Sequence, residues 1–304
     1  MEFGRIDPNQ LPFIDFSLPA DPPITTAILQ TADRIDDLQV HIGCAKWGRR
    51  EWKGLLYPPK TREADYLSEY AKHFNSIELN ATFYKIYEPE AIANWREQVA
   101  GNPGFKFCPK FAQRISHIRR LKNAEELTTQ YYEGIMAFGR HLGPLFLQLA
   151  NNYLPKNFPD FKLYLEQLPK DVPVFVEVRH KNWFGIKENY DKLFGLLQDL
   201  NLGAVITDSV GRPDVLHMAL PTPHAFVRFV GNGLHQTDYL RIDSWVDRIR
   251  TWQEQGLQSL WFFVHQHDER HTPVLADYLA GELNKALGLN LRRPGFVIGI
   301  QGDE

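Results

Sequence analysis

The stretch VFVEVRH, residues 174–180, decides how this chain is read. Side chains alternate across a strand with period two. Val174, Val176 and Val178 therefore share one face, and Phe175, Glu177 and Arg179 share the other. A run with a purely aliphatic face belongs under a layer of helices. The charges on its second face then point into the interior of a sheet that closes on itself, near the strand's C-terminal end.

The same kind of run recurs along the chain. VHIGCAKW (40–47), SIELNATFY (76–84), FKFCPKF (105–111), LFLQLAN (145–151), GAVITDS (203–209), AFVRFVG (225–231) and LWFFVHQ (260–266) bring the expected strands to eight. Between them, apolar residues fall at helical spacing in 61–74, 88–99, 123–142, 189–200, 244–255 and 272–287. Ser244 is the expected N-cap of the fifth helix. Thr272 caps the last, with Pro273 at its first helical position. Strand alternating with helix implies parallel pairing through right-handed crossovers. Eight such units in about 250 residues predict an α/β fold, a (β/α)8 TIM barrel in a single domain. A doubly wound open sheet is the alternative, but GCAKWG after the first strand is not a Gly-rich phosphate loop. Residues 39–290 are assigned to the barrel and 291–304 to a C-terminal tail. Residues 1–38 are rich in proline and acids and are read as an irregular arm, with Leu11, Phe13, Ile14 and Phe16 packed on the body.

Composition narrows the function. The 304 residues are 43% hydrophobic, enough for a sizeable core, and the formal net charge of −3 argues against a broadly basic nucleic-acid surface. The basic cluster SHIRRLKNAEE (116–126) runs straight into acids and reads as a solvated loop. Cys44 and Cys108 stand far apart with no metal-ligand spacing and are expected to be reduced core thiols. The start MEFGRIDPNQ has neither a basic n-region nor an apolar h-region, and no apolar run approaches the ~18–20 residues that span a bilayer. The expectation is a cytoplasmic protein with no membrane partner.

Applying the period of two to the other strands places polar groups in one sector. Strand two puts Ser76, Glu78, Asn80, Thr82 and Tyr84 opposite Ile77, Leu79, Ala81 and Phe83. Lys110 is in phase with Cys108, Gln148 with Phe146, and Asp208 with Ala204 and Ile206. Arg228 is in phase with Phe226, and His265 with Trp261 and Phe263. These groups are expected to converge at the C-terminal mouth, where barrel enzymes place their chemistry.

The residues also resemble the DUF72 (YecE-like) family of uncharacterised barrels. The resemblance rests on Gly43-x-x-x-Trp47, Trp52-x-Gly54, Tyr57-Pro58, FNSIELNATFY (74–84), FKF (105–107) with Lys110, and ISH (115–117). It continues through LGPL (142–145) with Gln148, EVRH-x-x-WF (177–184), Asp208, and Arg228 before Gly231, and so covers roughly residues 40–290. It implies a TIM barrel with a polar pocket at the mouth and implies no reaction. Lys46, Val230 and the run VHQHD (264–268) depart from the family pattern near strands one, seven and eight.

The chemistry expected of the mouth is acid–base chemistry on a small polar or anionic molecule. Glu78, Glu177, His180 and Asp208 are the candidate acids and bases, and Tyr84 the candidate donor to a developing oxyanion. Lys110, His117, Arg179 and Arg228 suit a phosphate or carboxylate. Trp47, Asn80, Gln148, Trp183 and His265 complete the binding set. Glu78, Glu177 and Asp208 with His265 also offer a ligand set for a divalent metal, as in a metal-dependent hydrolase, nuclease or isomerase-like barrel. Against both stands a paired ion network of three acids and three cations. A non-catalytic module binding a metabolite or RNA is the remaining alternative. HQHDERH (265–271) reads as rim histidines rather than a zinc tract, and no G-x-S-x-G or CxxC motif supplies a nucleophile.

Overall fold

A computed structural model describes residues 4–35 and 37–297. Residues 1–3 and 36 of the arm, and 298–304 of the tail, lie outside the described residues. Eight strands appear in it: β1 (Gln39–Cys44), β2 (Ser76–Leu79), β3 (Lys106–Pro109), β4 (Leu145–Gln148), β5 (Val174–Glu177), β6 (Gly203–Ser209), β7 (His224–Gly231) and β8 (Ser259–Gln266). All pair in parallel, as six strands in the order β1-β8-β7-β6-β5-β4 and as a separate pair, β2-β3. The architecture is thus a curled parallel α/β sheet of six strands with two further strands beside it. The eight expected strands are present, but one continuous eight-stranded ladder is not.

Side chains bridge one break in the ladder and isolated backbone hydrogen bonds the other. Between β1 and β2, the Asn75 amide donates to Val40 O (2.8 Å) and accepts from Ile42 N (2.8 Å). The Tyr70 hydroxyl accepts from Cys44 N and donates to Ser76 O. Gly43 belongs to this seam, since a Cβ there would stand 2.1 Å from Ser76 O. Between β3 and β4, Gly143 N donates to Phe107 O (2.7 Å) and Phe111 N to Phe146 O (3.0 Å).

The helices are α1 (Pro23–Thr31), α2 (Tyr66–His73), α3 (Ala81–Tyr84), α4 (Pro89–Gln98), α5 (Glu125–Ile135), α6 (Phe158–Glu166), α7 (Lys187–Asp199), α8 (Gln236–Gln255) and α9 (Thr272–Leu287). Several expectations need correction. Phe13, expected to pack on the body, is 88% exposed, and the position before α9 is His271, with Thr272 already its first residue. Pro23 opens α1 inside the stretch read as irregular, because proline is tolerated in a first helical turn whose N–H groups have no helical partner. The segment of α6 was not foreseen at all. α8 starts eight residues before Ser244, capped by His235; Ser244 lies in the helix and bonds back to Leu240 O. Strand two ends at Leu79, and residues 81–84 make a helical turn. The Thr82 hydroxyl fixes that turn, lying within hydrogen-bonding distance of both Leu79 O (3.0 Å) and Lys110 O (2.8 Å).

Two apolar layers result. Cys108, Phe146, Phe175, Val205, Phe226, Trp261 and Phe263 fill the space enclosed by the strands. The valines of β5, Val174, Val176 and Val178, belong to the larger cluster under the helices. Both cysteines are buried free thiols. None of the described helices is long and apolar enough to cross a membrane.

The N-terminal segment runs up one side of this body. α1 is pinned through Thr25 to Met218 O, Asp21 binds Arg248 and the Trp252 indole N–H, and Phe16 lies beside Arg241. Gly4 O then accepts from Gly211 N just beyond β6. Ile6 and Leu11 face Asn232, Gly233, His267 and Asp268, beyond β7 and β8.

Replacing Asn75 with alanine strips buried backbone groups of β1 of both partners at once. Asn75→Ala is expected to cost on the order of 3 kcal/mol in urea unfolding. A cost below about 1 kcal/mol would mean that the amide does not hold this seam.

Candidate active site

At the C-terminal ends of the strands the inward side chains meet in one buried network. Arg228 of β7 sits at its centre. Its Nε donates to Glu78 Oε2 (2.7 Å) and its Nη2 to Glu78 Oε1 (2.9 Å), a bidentate pair. Its Nη1 reaches Glu177 Oε2 at 3.0 Å. Glu78 also accepts from Asn80 Nδ2 (2.8 Å) and bonds His265 Nε2 (2.9 Å). Glu177 accepts from Arg179 Nε, from Thr207 Oγ1 (2.9 Å) and from Gln148 Nε2 (2.7 Å). Gln148 turns its oxygen the other way, to Lys110 Nζ at 2.7 Å.

The charges in this network are held firmly. Burial alone would raise the Glu78 carboxyl, but Arg228 and His265 outweigh it and hold it well below the usual carboxylate range. Glu177 is held at about 2: burial again opposes, and Arg179 and Arg228 win. Neither acid is suited to carry a proton at neutral pH. Lys110 is the opposite case. Burial first, then the neighbouring Arg228 and Arg179, bring its ammonium down to about 7, against smaller support from Glu78 and Glu177. Beside it His117, with Nδ1 on Ser116 Oγ, is lowered to about 4 by burial and then by Lys110 and Arg179.

The structure therefore brings together Glu78, Asn80, Lys110, His117, Gln148, Glu177, Arg179, Arg228 and His265. Other candidates fall elsewhere. Asp208 points to the helix side of β6, where it accepts from Arg241 Nη2 (2.6 Å) and from the Trp245 indole (2.9 Å). Its phase with Ala204 and Ile206 put it there, because both of those belong to the cluster under the helices. The inward residue of β6 is Thr207. Tyr84 is 72% exposed, carried outward by α3. His180 caps the turn Lys181–Trp183, its Nδ1 accepting from Asn182 N. Trp183 is fully buried against Phe161, with its N–H on Tyr153 O, and Trp47 packs edge-on against Trp95. Both tryptophans are packing residues rather than walls of the cluster.

The metal set does not assemble once Asp208 has turned away. Among the described residues no three His, Cys, Asp or Glu side chains gather closely enough to hold an ion. Two contributors escaped the sequence reading. Thr207 was recoverable from its phase with Val205. Phe83, whose ring lies 4.3 Å from Lys110 Nζ, was not, because it depends on the helical turn of α3.

Comparison with known proteins fits this α/β architecture. Residues 41–295 match the family model described as "Protein of unknown function DUF72", and the chain belongs to that family. It is 28% identical over 266 residues to the UPF0759 protein YecE of Escherichia coli K12, covering 82% of this chain and 94% of that one. Over 152 residues it is 24% identical to the UPF0759 protein YunF of Bacillus subtilis, covering 48% of this chain and 52% of YunF. Among solved structures, a DUF72 family protein of Enterococcus faecalis V583 superposes with a TM-score of 0.65 at 17% identity, covering 84% of this chain and all of the other. One from Thermotoga maritima gives 0.59 at 16% identity, over 83% of this chain and all of the other.

The position of Lys110 has a thermodynamic consequence. Its folded value lies near 7, below the ~10.4 of an unfolded lysine. Between those values the unfolded chain binds more protons, so stability rises with pH; below both, the full penalty is present. Lys110→Met is therefore expected to be more stable than the parent at pH 6, with the gap closing toward pH 10 in urea titrations. A gap independent of pH would contradict the lowered ammonium. Asp208→Asn breaks a buried pair on the other side of β6 and is expected to cost about 3–5 kcal/mol. It should leave the Lys110 titration, followed by NMR of labelled lysine side chains, where it was.

Proposed function

We propose that this protein is a cytoplasmic enzyme acting on a small anionic metabolite at the C-terminal ends of its strands, with Lys110 as the proton-transfer group. We read the eight strands as one (β/α)8 barrel whose ladder is carried by side chains at one seam and by isolated backbone bonds at the other, and this puts the cluster at the mouth. The carrying observation is the charge balance. Among the described residues Arg179 and Arg228 share Glu78 and Glu177, Asp208 is committed to Arg241, and Lys110 makes no ion pair with a carboxylate. A buried cationic excess is costly, and a carboxylate or phosphate relieves it. Arg179 is the more exposed of the two arginines and has the planar fork suited to either group.

The assignment of roles follows from the protonation states. The carboxylates, held low and fully engaged, orient the arginines. Lys110, poised near neutrality, can give or take a proton, as a general acid or base must. His265 and Asn80 fix Glu78. The same site without turnover would be a metabolite-binding module.

The test is calorimetric titration with inorganic phosphate and with small carboxylates at low salt. Binding is expected at pH 6.5, with proton uptake near pH 8 as the anion draws Lys110 back to its charged form. Arg179→Gln should weaken binding about tenfold or more, the scale of a lost charge-assisted hydrogen bond. Absence of heat with any millimolar anion, or binding untouched by Arg179→Gln, would remove the reading.

A further inference from the structure

The surroundings of Lys110 carry a more specific chemistry, which rests on the anion-binding reading above. We infer that the Lys110 amine forms an imine with the carbonyl carbon of a small oxo acid whose carboxylate pairs with Arg179. A buried lysine that serves only the fold is ordinarily given a carboxylate, because an unpaired ammonium is among the costliest groups to bury. Lys110 is 7% exposed, and among the described residues it makes no ion pair. Its one hydrogen-bonding side-chain partner is the neutral oxygen of Gln148.

Gln148 is what keeps the pair apart. It stands between Lys110 and Glu177, accepting from the first and donating to the second. The amine is thus aimed by a hydrogen bond without being neutralised by a charge. The other neighbours pull both ways. Burial, Arg228 and Arg179 disfavour the charged form and outweigh Glu78 and Glu177, while the Phe83 ring at 4.3 Å and Phe146 at 5.7 Å offer the ammonium only a weak cation–π attraction. A neutral amine in a largely apolar pocket beside other cations is the recognised means of making lysine nucleophilic at neutral pH. The carboxylates that might have stabilised its ammonium form are already held by the arginines.

The step balances without a co-reactant. The nitrogen lone pair attacks the carbonyl carbon, the C–N bond forms, and the carbonyl π pair moves to oxygen, which takes up a proton. Transfer of the ammonium proton completes a neutral carbinolamine. The nitrogen lone pair then expels that oxygen, protonated a second time, as water. One oxo acid, one amine and one proton from solvent become one iminium ion and one water, with no change of oxidation state. The iminium withdraws electrons from the adjacent carbon and so favours C–H or C–C cleavage there.

Borohydride trapping of the full chain tests this. With pyruvate or glyoxylate at pH 7, reduction is expected to leave one stable adduct per chain, mapped by peptide mass spectrometry to Lys110. Lys110→Arg should abolish the adduct. Arg179→Gln should slow trapping by about tenfold, in line with its effect on anion affinity. Gln148→Glu gives the amine a carboxylate partner and should suppress the adduct even where Lys110 is retained. If pyruvate binds and competes with phosphate but the adduct is absent or scattered over surface lysines, the imine is refuted and the anion site stands. If neither phosphate nor oxo acid binds and nothing is trapped, both readings fall. Equal trapping by neutral propanal would overturn the oxo-acid assignment.

Discussion

The Arg228 guanidinium, clamped between two buried carboxylates, is the contact on which the interior depends. It reaches Glu78 on β2 and Glu177 on β5 from β7, so a single side chain ties the two-stranded sheet to two strands of the six-stranded one. Buried ion pairs of this kind are poor sources of net stability, because desolvation consumes most of the Coulombic gain. They are strong constraints on geometry, because removing one partner leaves an uncompensated charge. β2 and β3 have no continuous ladder to either neighbouring strand; isolated backbone bonds join β3 to β4, and side-chain contacts place β2. Asn75 and Tyr70 do this work toward β1, and Arg228 does it across the interior.

Strand periodicity made most of this legible. In β5 the aliphatic residues fall on one face without exception, and the inward positions of Glu177 and Arg179 follow. Gln148, Lys110, Arg228 and His265 followed from the same alternation, each in phase with an aromatic or cysteine residue of the inner core. β6 defeated the method. Both of its faces are fully buried and both carry polar residues, Thr207 and Ser209 on one and Asp208 on the other, which gave no preference. The deciding fact lay elsewhere: Arg241 and Trp245, four residues apart on α8, needed an acceptor from the sheet. SIELNATFY failed for a different reason. Its residues suit a strand throughout, but a hydroxyl bonded to the backbone can end a strand within one residue, and Thr82 does so. Nothing in hydrophobic period announces that.

The correction at Asp208 changes what the cluster is. Three acids against three cations would be a self-contained network with no call on a ligand. With Asp208 spent on Arg241, Lys110 is left, among the described residues, without an ion pair to a carboxylate. The same arrangement that holds Glu78 and Glu177 ionised therefore makes Lys110 labile. Stability and reactivity are set against each other at one residue, the pattern expected where a site is built for function rather than for the fold.

Access to the cluster follows from which loops are covered. The N-terminal segment lies on the loops after β6, β7 and β8, with Gly4 bonded to Gly211 and Leu11 buried. On that side Arg212 also ties down the Arg179 carbonyl. Among the described residues the strand ends of β2 and β3 carry no such cover. There Phe83 and His117 are half-buried over Lys110 and Tyr84 stands in solvent. On the reading proposed above, a ligand would meet Lys110 and Arg179 before the fully buried Arg228 and the carboxylates. Arg228 and its two acids form the rigid floor beneath it.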